Sequence, residues 1–283
     1  MLKNSFFYCF IVLSFISCQN FGQLHFLGAL PKDLKEVSGV ESVKNTKLIW
    51  MINDGGNQPK LFGVSKKGTI KREVYIKAKN HDWEDVTSDE NGNIYIGDFG
   101  NNLSKRKNLK VLKIDKKDLH KKSAEVEEIE FKYEDQEEFS GKKKTLFFDA
   151  EAFFYFKSYF YIFTKSRVRK EYGKTFLYKF PAKKGKHIAK LIGQYENCKD
   201  LKCWITSVDI SDDGSKVVLL SQKNILIFSD FKDDNFLSGN VEEIKLKHQT
   251  QKEGICFKGN NKLLITDEKS GGEGGNLYEL EIN

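Results

Sequence analysis

The chain has 283 residues, 39% apolar and 13% aromatic, with 47 Lys and Arg against 40 Asp and Glu for a formal net charge of +7. That apolar content can bury a large core, and with only three prolines and no Ser/Pro/Gly-rich stretch there is no linker, so one domain is expected. The excess positive charge lies in runs such as "SKRKNLK" (104–110) and "GKKKT" (141–145), which read as solvated surface or contact with anionic lipid or glycan. No basic module interleaved with aromatics is present, which argues against a nucleic acid polymer as partner.

The first element is an apolar run, "FFYCFIVLSFI" (Phe6–Ile16), behind Lys3. It is too short for a membrane-crossing helix, which needs about 20 residues, and it fits a signal-peptide core. "FISC" (Phe15–Cys18) resembles a bacterial lipobox, with Phe where Leu is usual. Residues 1–17 are therefore expected to be a lipoprotein signal, and 18–23 a lipidated Cys18 and its tether. The domain proper would span 24–283, held in the cell envelope, in the periplasm or at the outer membrane, as a lipid-anchored monomer. An ordinary signal peptide with a chance cysteine is the alternative. Export permits a disulfide, and Cys198 and Cys203 in "NCKDLKCW" are near enough to close a small loop. Cys256 in "EGICF" reads as a buried thiol.

From residue 36 on, apolar and polar residues alternate with period two, as in "LIWMIN", "NIYIGD", "YFYIFTK", "KVVLLSQ" and "KLLITDE". These are strands between Asn/Asp/Gly turns, so the fold class is all-β. The segments "VSGVES" (37–42), "WEDVTS" (83–88), "AEAFFY" (150–155), "TSVDIS" (206–211) and "EGICFK" (253–258) align on Ser38, Glu84, Glu151, Ser207 and Glu253. Fourteen to sixteen residues beyond each anchor a second strand ends, at Asp54, Asp98, Lys165, Gln222 and Asp267, and third and fourth strands follow. A four-strand unit recurring every 46–67 residues is the signature of a β-propeller. The last unit lacks a fourth strand, which "HFLGALP" (25–31) would supply. Five blades, closed by the N-terminal strand pairing into the last, are expected. Six would need another repeat, and 134–148 is too polar to supply one; a β-sandwich does not account for the constant spacing.

First strands line a propeller's axis, so the five anchors are predicted to form a ring of two hydroxyls and three carboxylates. Three like charges in a narrow tunnel call for a cation, and an all-oxygen donor set suits Ca2+. The order Ser, Glu, Glu, Ser, Glu on successive first strands resembles the calcium-activated nucleotidase (apyrase) family. That resemblance implies a five-bladed propeller with one axial Ca2+, bound by Ser38, Glu84, Glu151, Ser207 and Glu253, that hydrolyses nucleoside di- and triphosphates. It also implies a catalytic carboxylate at Asp54 in "NDGGN" (53–57), although Gly55 and Gly56 stand where the family has an arginine. The "DWED…GDFGNN" pair is similar to a group of exported bacterial propellers of unnamed role.

Loops after the second strands share one rim. Asp54, Asp98 and Asp267 are expected around the tunnel mouth, with Asp54 and Asp98 as the catalytic candidates. Lys165, Arg167 and Arg169 form a basic arc, and Asn57, His81 and Asn101 complete the predicted ligand-binding set with Asp267. Carboxylates beside calcium can orient water, while guanidinium forks hold phosphate, sulfate or uronate oxygens. Each Asp-Gly or Asp-Phe-Gly-Asn also reads as a plain turn. Two functions are consistent with this set: a calcium-braced envelope lipoprotein that binds an anionic small molecule, glycan or protein on the rim, or a calcium-dependent hydrolase of nucleotides or other acidic substrates.

Overall fold

The computed structural model of the chain describes residues 20–44 and 46–282. Cys18 and the signal segment, with the expected lipidation and cleavage, lie outside the described residues.

The described chain is all-β and propeller-like, with helix limited to four short 3-10 turns. The strands follow the predicted segments within a residue or two. The first unit runs β1 (His25–Ala29) apart, then β2 (Val37–Glu41), β3 (Ile49–Asn53), β4 (Lys60–Val64) and β5 (Ile70–Ile76). Next come β6 (Trp83–Ser88), β7 (Ile94–Asp98), β8 (Lys110–Ile114), the two-residue β9 (Ser123–Ala124) and β10 (Glu127–Tyr133). They are followed by β11 (Asp149–Phe156), β12 (Tyr159–Lys165), β13 (Lys174–Pro181) and β14 (Gly185–Glu196). The remainder is β15 (Ser207–Ile210), β16 (Lys216–Leu220), β17 (Asn224–Ser229), β18 (Asn240–Lys245), β19 (Lys252–Phe257), β20 (Lys262–Asp267) and β21 (Asn276–Glu281).

Within each unit the strands pair antiparallel in chain order, and β1 pairs antiparallel with β21 beside β20 and β19. Two pairings were not foreseen. Parallel pairing of β10 with β14 fuses two units into an eight-stranded sheet, and β9 adds in parallel to the outer edge of β5. The innermost strands pack in sequence, β2 on β6, β6 on β11, β11 on β15, β15 on β19, and β19 back on β2.

The second strands explain why so much of the sequence is apolar on both parities. Successive side chains of a strand point to opposite faces, and here both faces are covered. Ile94 and Ile96 of β7 enter a core with Trp50, Ile52 and Trp83, while Tyr95 between them enters another with Phe153 and Phe160. In β12, Phe160 and Ile162 join that second core, and Tyr161 and Phe163 join a third with Val217 and Leu219. Val218 and Leu220 of β16 then face a fourth, with Ile255 and Ile265, and Leu264 of β20 faces a fifth, with Ile49 and Met51 of β3. Each core fills the seam between two neighbouring units.

Candidate functional site

The anchor residues owe their position to a recurring irregularity. Register shifts fall between Val37 and Gly39, Trp83 and Val86, Ala150 and Ala152, and Lys252 and Gly254. Ser38, Glu84, Glu151 and Glu253 are thus the extra residues of β-bulges, devices that re-aim a side chain near functional sites. The fourth unit has none: Ser207 to Ile210 pair in unbroken register with β16.

Bulge or not, the carboxylates of Glu84, Glu151 and Glu253 do not form one group of oxygens within 4.8 Å of one another. Ser207 is fully buried, with its Oγ donating to Asp85 Oδ2 at 3.3 Å and accepting from Ile255 N at 3.1 Å. Ser38 donates to Trp83 O at 3.3 Å. Glu151 is engaged by Lys165 Nζ at 2.9 Å and Arg167 Nη2 at 3.3 Å. The acids that come together most closely form a different set, with Glu84 the one anchor in it. Glu84 stands with Asp54 and Asp82, and one carboxylate oxygen from each lies within 4.8 Å of the other two. Asp82, in the loop leading into β6, was missed because a residue outside the repeat alignment carries no signal of its own.

Glu84 is only 7% exposed, and among the described residues no donor bonds its carboxylate or that of Asp82. Asp54 accepts only from the amide of Gly55, its chain neighbour. Burial pushes the Glu84 carboxyl well above the usual range, and the charges of Glu151, Asp54, Asp149 and Asp82 push the same way. Burial raises Asp54 and Asp82 as well. Two glycines make the cradle. A Cβ on Gly100 would land on the carboxylates of Glu84 and Asp82, and one on Gly55 would meet Asp82 Oδ1. The Gly55 that departs from the nucleotidase pattern is thus the residue that lets Asp82 approach Asp54.

Around this triad the mouth is predominantly acidic. Glu253 is partly buried and close to Lys165, Glu151 and Glu268; burial pushes its carboxyl up to about 8. Glu268, in the loop after β20, is raised by burial to about 7, with Asp54 and Glu36 adding to the rise. The cations are already engaged. Arg167 pairs with Asp149 and Glu151, and Arg106 Nη2 holds Asp98 Oδ1 at 2.8 Å. Burial alone would depress the Lys165 ammonium, but Glu151 and Glu253 hold it above its ordinary value.

The remaining predicted residues are placed as follows. Asp98 is fully buried between Arg106, the backbone amide of Asp82 and His81 Nδ1 at 3.0 Å, so it orients the loop before β6 and offers no free oxygen for chemistry. Asp267 is fully buried inside its own unit, bonded by Lys252, Tyr278 Oη, Thr250 and the amide of Asn276, and does not face the rim. Asn57 reaches Glu36 Oε2 at 2.6 Å, and Asn101 clamps Asp149, Phe148 and Arg106 through its amide and side chain. Arg169 is exposed and joins none of these pairs. Cys198 and Cys203 are bridged, and the next residue, Trp204, was also missed. Its Nε1 donates to Ser166 O at 2.6 Å, and its ring lies under Lys165 Nζ at 5.0 Å and Arg167 Cζ at 5.3 Å.

No protein-family model and no curated protein matches the chain. Among solved structures, it is similar to an aldose sugar dehydrogenase from Streptomyces coelicolor at 7% identity and TM-score 0.53, covering 91% of this chain and 97% of that one. A gluconolactonase from Xanthomonas campestris aligns at 9% identity and TM-score 0.48, over 91% and 88% of the two chains. A virginiamycin B lyase from Staphylococcus aureus aligns at 12% identity and TM-score 0.43, over 90% and 69%. At such identities the likeness speaks of fold alone: a β-propeller-like chain.

Proposed function

We propose that the chain is a five-bladed propeller that holds one calcium ion at the mouth of its axis, on Asp54, Asp82 and Glu84, and binds an anionic ligand through that ion. Five seams filled by five separate cores, a closed circuit of innermost strands and the β1–β21 pairing support the blade count. In the envelope, a lipid on Cys18 would tether it to the membrane.

The observation that carries the ion is the set of three carboxylate oxygens within 4.8 Å of one another and without other side-chain donors. Calcium takes oxygen ligands at about 2.3–2.6 Å, so oxygens up to 4.8 Å apart can share one ion. Three neighbouring like charges, on buried Glu84 and half-buried Asp54 and Asp82, repel one another until a cation joins them. The bound ion would supply positive charge and Lewis acidity. Lys165, Arg167 and Arg106 are neutralised by their own partners, so the ion would supply the uncompensated positive charge beside the triad.

Thermal unfolding with calcium and with chelator tests this. Free calcium at a hundred times Kd adds about 2.7 kcal/mol, or a rise of about 5–10 °C in a chain of this size. Glu84→Gln and Gly100→Ala should each abolish the rise, the first by removing a ligand charge and the second by filling the cradle. No rise in the parent, or the same rise in both variants, removes the ion from the mouth.

A second reading, a calcium-dependent hydrolase of phosphorylated or other acidic substrates, is favoured by Glu253. A carboxyl raised to about 8 carries a proton at neutral pH, and such a group beside a bound substrate serves as a general acid. Nucleotide hydrolysis that requires calcium and falls at least a hundredfold in Glu253→Gln would establish it; absence of turnover with nucleotides leaves the binding role.

A further inference from the structure

The first strands carry a second set of acids, at the end of the axis away from the triad. There, a cavity of about 300 Å3 draws lining residues from all five innermost strands. Its buried charged groups are Glu41, 8% exposed on β2, Asp209, 9% exposed on β15, and Asp89, 8% exposed after β6. Strands β2 and β15 are not neighbours in the circuit, so the carboxyls of Glu41 and Asp209 face one another across the axis.

One oxygen of each is fixed. Glu41 Oε1 accepts from Ser88 Oγ at 2.6 Å, and Asp209 Oδ2 accepts from Phe257 N at 2.7 Å. Glu41 Oε2 has no donor among the described residues, although its side chain is more than nine-tenths buried and lines the cavity. That oxygen opens onto the cavity, where an N–H of a ligand can donate to it. Burial and the charge of Asp209 both raise the Glu41 carboxyl, as expected for two acids competing for one counter-charge.

The size of the space selects the kind of cation. About 300 Å3 is at the lower end of small-molecule pockets and holds about ten waters, far more room than a bare metal ion with ligands at 2.3–2.6 Å requires. Tyr155 and Phe156 form an aromatic wall, and aromatic faces attract cations. Lys157 Nζ already sits over the Phe156 ring at 4.9 Å. Of the other acids lining the cavity, Asp89 is committed to its own turn through Asn91, Asn93 and Tyr95. Toward the outside, the exposed Lys44 and Lys157 are offset by the exposed Glu90 and Asp212, so the lining there selects no sign for the ligand's outer end.

We propose that this cavity is a second ligand site, which takes a small organic molecule by its primary ammonium, held between Glu41 and Asp209. The site is separate from the calcium mouth and does not depend on it.

Isothermal titration of the full chain with propylammonium chloride should show one binding event, weakened at least tenfold by Glu41→Gln and by Asp209→Asn and unchanged by Glu84→Gln. Both amide substitutions keep an acceptor for Ser88 and Phe257, and circular dichroism confirms that each variant is folded. Absence of propylammonium binding, or binding that both variants retain, overturns the proposal. It is overturned equally if sodium acetate gives the same heats, or if Glu41→Gln and Asp209→Asn abolish calcium binding instead. Failure of calcium to bind the parent, with propylammonium bound as described, would count against the mouth alone.

Discussion

At the scale of the residue, Asp209 shows how the axis trades stability for charge. Burial raises its carboxyl to about 7; the amides of Phe257 and Ile210 oppose the rise and Asp212 adds to it. The folded state therefore keeps a proton that the unfolded chain gives up near its ordinary value of 3.8. Between those values the folded state binds more protons, so stability is greatest at the acid side and falls as pH rises from about 4 to 7. The fall from this group alone is at most about 4 kcal/mol. Urea unfolding of metal-free protein across that window should show the decline, and Asp209→Asn should make it shallower, the other raised carboxyls keeping the rest of the slope; a parent that gains stability from pH 5 to 7 would contradict the raised carboxyl. Legibility at this scale followed repetition. Glu84 could be picked out because five segments share its position, whereas Asp82 and Trp204 occur once, outside any repeat, and acquire meaning only from what the fold lays against them. Asp267 misled for the opposite reason: it shares the strand-end position of Asp98, but Lys252 and Tyr278 have turned it inward.

At the scale of the element, strands were readable to within a residue or two because each buries two faces and ends in a turn. The bulges were hidden, since one extra residue in a strand leaves the apolar alternation almost intact. The parallel β10–β14 and β5–β9 pairings were also hidden, because edge-to-edge contact between units depends on how far each outer strand extends. The bridged loop before β15 is an element with a task. Cys198–Cys203 fixes the approach to Trp204, which braces Lys165 and Arg167 from below. Replacing both cysteines by serine should cost about 2 kcal/mol and loosen the brace. Of the three tryptophans, Trp50 and Trp83 are 3% and 0% exposed, so acrylamide quenching reports chiefly on Trp204. Stronger quenching in the double variant is expected; unchanged quenching would mean that Ser166 and the two cations hold the ring unaided.

At the scale of the whole molecule, side-chain packing runs around the full circuit but strand pairing between units does not. The β5–β9 and β10–β14 pairings tie the first three units along their outer edges, and β1 ties the two ends of the described chain. Strands β15–β18 form a sheet of their own, and β18, exposed along most of its length, pairs only with β17. Amide hydrogen exchange should therefore begin in β18 and the loops flanking β15–β18, ahead of β10 and β14; protection in β18 equal to that in β10 would refute this order. Such a molecule has a preferred place to come undone. Under pulling force, heat or a protease it would shed one leaf while the welded remainder kept its shape, and the Cys198–Cys203 bridge sits at the stem of that leaf.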